Sequence, residues 1–84
     1  MVKIFYKDEV IKQLKRMGPA ELKKAKKKIL VLADNPLAGK LLKGELMEKR
    51  SVRAWPLRII YIFDSKNQTV LIETIDYRGR VYKK

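Results

Sequence analysis

Residues 57–63 read Leu57-Arg58-Ile59-Ile60-Tyr61-Ile62-Phe63, an almost continuous apolar run interrupted once by arginine. A run this short, rich in β-branched and aromatic residues, predicts a strand. Its neighbours can be read from it. Residues 50–55 alternate around Val52, and residues 69–75 are again β-branched, so both predict strands. Asp64 to Gln68 is polar and reads as the hairpin turn between the last two strands. Trp55-Pro56 marks the other turn or a strand edge, because proline cannot donate to a ladder.

Towards the amino terminus the texture changes. Val2 to Tyr6 reads as a further short strand. Asp8 is placed to cap a helix in which Val10, Leu14 and Met17 recur at helical spacing. Gly18-Pro19 ends that helix and opens another, with Glu21 complementing its amino-terminal dipole. Leu22, Ala25, Ile29, Leu32 and Ala33 share one face of the second helix, and Asp34-Asn35-Pro36 stops it. The short link at Gly18 predicts an antiparallel helical hairpin. Residues 35–48, with Pro36, Gly39 and Gly44, read as a connection. The expectation is an α+β fold of β-α-α-β-β-β order, an antiparallel sheet with the helical hairpin packed on one face. No repeat, low-complexity tract or linker divides the chain, so residues 1–84 read as a single domain.

The 84 residues carry 21 Lys+Arg against 9 Asp+Glu, a net charge of +12, with no His and no Cys. The absent types exclude disulfides, a thiolate nucleophile, an imidazole base, a Ser-His-Asp triad and Cys- or His-ligated metals. No metal and no cofactor is expected. At 46% hydrophobic residues the composition is that of a globular domain. The longest apolar run is far short of a membrane span, and Lys3, Lys7, Asp8 and Glu9 interrupt any signal-peptide core. A soluble, cytoplasmic protein is expected. Such an excess of positive charge favours polyanionic partners.

The basic residues fall into two groups. Lys23, Lys24, Lys26, Lys27 and Lys28 on the second helix read as a solvated face, with non-specific polyanion attraction as the alternative. The arginines are more informative. Period-2 geometry puts Ser51 and Arg53 on the face opposite Val52, hence on the side away from the helices. Arg58 begins the next strand, and Arg78 and Arg80 come after the last. Their guanidinium groups can converge on one side of a small sheet, in the planar forks that suit phosphate. The bland alternative is that each pairs with a carboxylate such as Glu45, Glu48, Glu73 or Asp76. Tyr82 lies among cations that would favour its phenolate, and its ring is also a platform for a stacked base. Trp55 reads as a partly buried anchor at the turn, and Tyr61 as core.

Four segments together resemble the RelE/ParE toxin superfamily of toxin–antitoxin modules. They are Gly39-Lys40-Leu41-Leu42-Lys43-Gly44, Arg50-Ser51-Val52-Arg53, Leu57-Arg58-Ile59-Ile60-Tyr61 and Arg78-Gly79-Arg80-Val81-Tyr82. The resemblance covers about half the chain by motif and the rest by order of elements. The chain departs from the family pattern at Trp55-Pro56, at Leu57 where many members have tyrosine, and at Tyr77 where many have histidine. One branch has two lysines where this chain has Ser51 and Arg53.

The resemblance implies a metal-independent endoribonuclease that cleaves mRNA in the ribosomal A site and inhibits translation. Such toxins are held inactive by an acidic antitoxin protein. It places Arg53, Arg58, Arg78 and Tyr82 as catalytic residues, with Lys43, Lys49, Arg50, Ser51 and Arg80 binding RNA or ribosome. The rival readings are a gyrase-inhibiting toxin of the same fold and a non-catalytic RNA-binding module of a ribosome-associated protein.

Overall fold

A computed structural model describes residues 2–42 and 49–77, with the backbone alone at Tyr77. Its seven elements in chain order are β1 (Lys3–Tyr6), α1 (Asp8–Arg16), α2 (Pro19–Asp34), β2 (Lys40–Leu41), β3 (Lys49–Ala54), β4 (Leu57–Asp64) and β5 (Thr69–Tyr77). The five strands form one sheet in the order β1-β5-β4-β3-β2. The α+β class and the pair of consecutive helices are as expected. The sheet differs in two respects. β1 runs parallel to β5, so the sheet is mixed, because both helices follow β1 in the chain before the other strands and no hairpin forces antiparallel pairing. β2 is an extra strand within the stretch read as a connection. Its two residues pair with β3, Lys40 opposite Ser51 and Leu41 opposite Arg50.

The helices start by different means. Lys7, not Asp8, occupies the N-cap position, and no side chain caps α1. Its amino-terminal charge comes instead from Asp8 and Glu9 in the first turn, balanced by Lys15 and Arg16 in the last. At α2, Pro19 opens the first turn and the Glu21 carboxylate accepts the Gly18 N–H at 3.3 Å.

One apolar cluster unites helices and sheet. Val10 from α1 and Ala25, Ile29 and Leu32 from α2 meet Leu57, Ile59 and Tyr61 of β4 and Val70, Ile72 and Ile75 of β5. Each fully buried large side chain there contributes about 1.5–3 kcal/mol. In β5 the buried positions skip from 72 to 75, which simple alternation forbids. A register shift resolves this: Tyr61 faces Ile72 while Ile60 faces Thr74, leaving Glu73 as the extra residue of a bulge. Both helices thus cover one face of the sheet, with α1 against β5 and α2 against β3 and β4. No helix among the described residues is long and apolar enough to cross a membrane.

Candidate functional site

The uncovered face takes its chemistry from strand register. Arg53 on β3 lies directly opposite Arg58 on β4, and Arg58 lies directly opposite Asp76 on β5. The three side chains form a row across the sheet. Arg58 donates from Nη2 to Asp76 Oδ2 at 3.1 Å. Its Nε is buried without a partner, and no other side-chain nitrogen or oxygen among the described residues shares that state. Arg53 is exposed, and among the described residues it forms no ion pair. One register step away, Lys40 on β2 faces Ser51 on β3. Lys40, Ser51, Arg53 and Arg58, with Ala38 and Leu42, line a hollow of about 520 Å³.

Three cations therefore surround this hollow, and Asp76 answers one of them. Like charges directly opposite on neighbouring strands destabilise a sheet. An arrangement that places Arg53 against Arg58 gains from an anion, and the planar forks suit phosphate oxygens.

Farther along the same face, the Glu73 carboxylate lies between Lys49 Nζ at 2.9 Å and Lys7 Nζ at 3.0 Å. The hydrogen bonds from Lys49 and then Lys7 hold Glu73 below the usual carboxylate range. Lys49 is thus tied to the sheet, whereas Arg53 projects from it.

Arg50, expected from the resemblance to bind RNA or ribosome, sits on the other face from Arg53. It lies opposite Tyr61, on the helix side, and donates to the Gly39 carbonyl at 3.0 Å. The Tyr61 hydroxyl donates to the Pro36 carbonyl at 2.7 Å and accepts the Gly39 N–H at 2.8 Å. Burial pushes the Tyr61 pKa up, opposed by the Gly39 N–H and by the Arg50 charge. Tyr61 is the expected core residue, and its hydroxyl ties residues 36–39 in place. A Cβ at Gly39 would stand 2.5 Å from that hydroxyl and 2.9 Å from the Ser51 carbonyl, so glycine is required for the close approach. This network fixes the residue before Lys40.

Of the site residues expected from sequence, the fold brings Arg53, Arg58 and Ser51 together and sets Arg50 on the opposite face. Lys43, Arg78, Arg80 and Tyr82 lie outside the described residues. The carboxylate-pairing alternative holds for Arg58 and, among the described residues, not for Arg53. Trp55 is 64% exposed rather than partly buried, because it stands at the hairpin tip beyond the last core pair, Ala54 and Leu57. Lys40 is the residue that sequence reasoning missed. Its signal is weak, since only pairing with Ser51 turns it to the open face.

A helical pair on one face of a small mixed sheet is a fold this chain shares with solved toxins of toxin–antitoxin systems. A chain of the RelBE2 toxin–antitoxin complex from Mycobacterium tuberculosis superposes with a TM-score of 0.82 at 26% identity, covering 92% of this chain and 98% of that one. A chain of the archaeal RelE–RelB complex from Pyrococcus horikoshii gives 0.81 at 20% identity, over 95% and 98%. The isolated RelE toxin of E. coli gives 0.77 at 19% identity, over 98% and 89%. No curated protein sequence matches the chain. Residues 4–82 match the family described as the ParE toxin of type II toxin–antitoxin system, parDE. The chain belongs to that family, within the RelE/ParE superfamily.

Proposed function

We propose that this toxin is a ribosome-dependent endoribonuclease that cleaves mRNA in the A site and is neutralised by an acidic antitoxin. The observation that carries the reading is the directly opposed Arg53 and Arg58 on the uncovered face, with Asp76 the only carboxylate among the described residues that pairs with either. The unpartnered Arg58 Nε supports it, since a phosphate oxygen would give that N–H an acceptor.

The chemistry needs no metal. The 2′-hydroxyl of the RNA attacks the adjacent phosphorus, and the bond to the 5′-oxygen breaks. The products are a 2′,3′-cyclic phosphate and a 5′-hydroxyl. One proton leaves the attacking oxygen and one is delivered to the departing oxygen. Negative charge grows on the non-bridging oxygens, where preorganised guanidinium groups lower the barrier. Arg58, joined by Arg78, takes that task in this proposal, and Arg53 orients the scissile phosphate. A guanidinium, with pKa above about 12, is a poor proton acceptor. Tyr82 is assigned as general base or as the residue on which a base stacks. Much of the attack geometry would come from the ribosome's hold on the mRNA, so free RNA should be a poor substrate. The formal charge of +12 supports an acidic partner protein.

The match to a family described as ParE toxins keeps a second reading in play, the gyrase-inhibiting toxin without nuclease activity that the resemblance offers. Cell-free translation followed by primer extension separates the two. Discrete mRNA ends within A-site codons, lost in Arg58→Ala, are expected. Intact mRNA together with trapped gyrase–DNA complexes would establish the second reading instead.

A further inference from the structure

Around the tip of the β3–β4 hairpin, on the helix side, lies a second hollow of about 360 Å³. It is lined by Lys24, Lys27, Lys28 and Val31 of α2 and by Ala54 and Trp55. The four helix residues recur at i, i+3, i+4 and i+7, so they form one stripe. The Lys24 ammonium donates to the Trp55 carbonyl at 3.1 Å and secures the turn that presents the indole. Among the described residues none of the three lysines meets a carboxylate. The stripe that reads in sequence as a solvated face is in fact the wall of a cleft around an exposed aromatic ring.

We infer that this cleft is a nucleotide subsite, in which a base stacks on Trp55 and its flanking phosphates meet Lys24, Lys27 and Lys28. An aromatic face ringed by point-charge cations is the pattern of single-strand binding surfaces. A glutamate-rich peptide would answer the lysines but leave the indole face uncovered. The occupant is the strand that crosses Arg53 and Arg58, and to that extent the inference rests on the nuclease reading. Arg53 lies two residues from Trp55, about 7 Å along the strand. One strand can therefore turn around the hairpin tip and engage both faces.

Trp55 is the sole tryptophan, so its emission reports on the cleft directly. The probe is a short 2′-O-methyl RNA, which lacks the attacking hydroxyl and cannot be cleaved. It should quench the emission of the full chain, while an abasic strand of equal charge should not. Binding of a labelled strand, monitored by anisotropy, should weaken roughly 5- to 140-fold in Trp55→Leu with an unchanged salt slope. Lys27→Ala/Lys28→Ala should instead flatten the salt slope. Equal binding of the abasic strand, or quenching by poly-glutamate in place of RNA, would overturn the inference. Photocrosslinking from residue 55 on programmed ribosomes should mark mRNA, and a crosslink to ribosomal RNA alone would overturn the assigned occupant. Quenching without cleavage would count against the nuclease reading only, and cleavage without quenching against the subsite only.

Discussion

Arg50 and Arg53 leave the same strand three residues apart and meet opposite fates. Arg50 turns toward the helices, donates a hydrogen bond to the Gly39 carbonyl and helps hold a loop against Tyr61. Arg53 turns toward the uncovered face and meets another arginine. Chemically the two side chains are identical, so the odd spacing between them decides which is structural and which is available to a ligand. The helix-side network is satisfied at each polar atom named in it. The open-face row keeps a surplus of charge and an N–H without an acceptor. Satisfied polar groups rigidify, and an unsatisfied N–H among surplus cations is a place where an anion is favoured.

The sharpest way to break this contrast is Arg58→Ala. Under the proposed function, mRNA cleavage on the ribosome should fall about 10²–10³-fold, the loss seen when one preorganised charge-stabilising donor is removed. Folding stability should change by no more than about 1 kcal/mol, because the half-buried ion pair with Asp76 is partly screened by solvent and a repulsion with Arg53 is relieved. Rates from primer extension and a urea melt of the same protein test both halves. Unchanged cleavage would remove the phosphate clamp.

The opposite pattern belongs to Gly39→Ala on the helix side. Its Cβ must displace the Tyr61 ring or the β3 backbone, and overpacking of this kind costs about 1–3 kcal/mol. For a chain this small each kcal/mol lowers Tm by about 4–8 °C. A melting temperature within a degree or two of wild type would mean that the Tyr61 latch is slack and does not fix Lys40.

Those two regions also differ in how far their sequence discloses them. Val52 against Ser51 and Arg53 is strict alternation, so the open-face placement of Arg53 is legible. The apolar run of β4 announces Tyr61 as core. Three things are not legible, each for a tertiary reason. β2 has only two residues, too few for any period, and exists because β3 offers it a free edge. The bulge at Glu73 keeps Ile72 and Ile75 on one face against simple alternation. The exposure of Trp55 depends on where the hairpin tip ends relative to α2, which a lone aromatic beside a proline does not encode. Arg50 is a different case: the alternation that places Arg53 on the open face places Arg50 on Val52's side, and the resemblance alone pointed it toward RNA.

Glu73 sharpens the comparison along the pH axis. Its carboxylate is held below its ordinary value of 4.5 by Lys49 and Lys7, so it stabilises the fold above that value. The stabilisation is lost as pH falls through the depressed pKa, where the folded state must also take up the proton. Glu73→Gln should therefore be less stable than wild type by about 1 kcal/mol at neutral pH. The gap should close in acid. Urea midpoints measured from neutral pH downward test this, and a gap independent of pH would assign the loss to packing rather than charge.

The smallest effect is the most diagnostic of the open face. Arg53 makes no ion pair among the described residues and faces a like charge, so Arg53→Gln should stabilise the isolated toxin by about 0.2–1 kcal/mol. Salt should shrink that gain, since the repulsion it removes is exposed to solvent. A double-mutant cycle with Arg58→Gln isolates the pairwise repulsion. The coupling should be unfavourable in the free protein and should vanish or reverse when an uncleavable strand is bound, because a shared phosphate turns two mutually repelling groups into two ligands of one anion. A favourable coupling in the free protein would mean that the row is a packing device, with no charge held in reserve for a substrate.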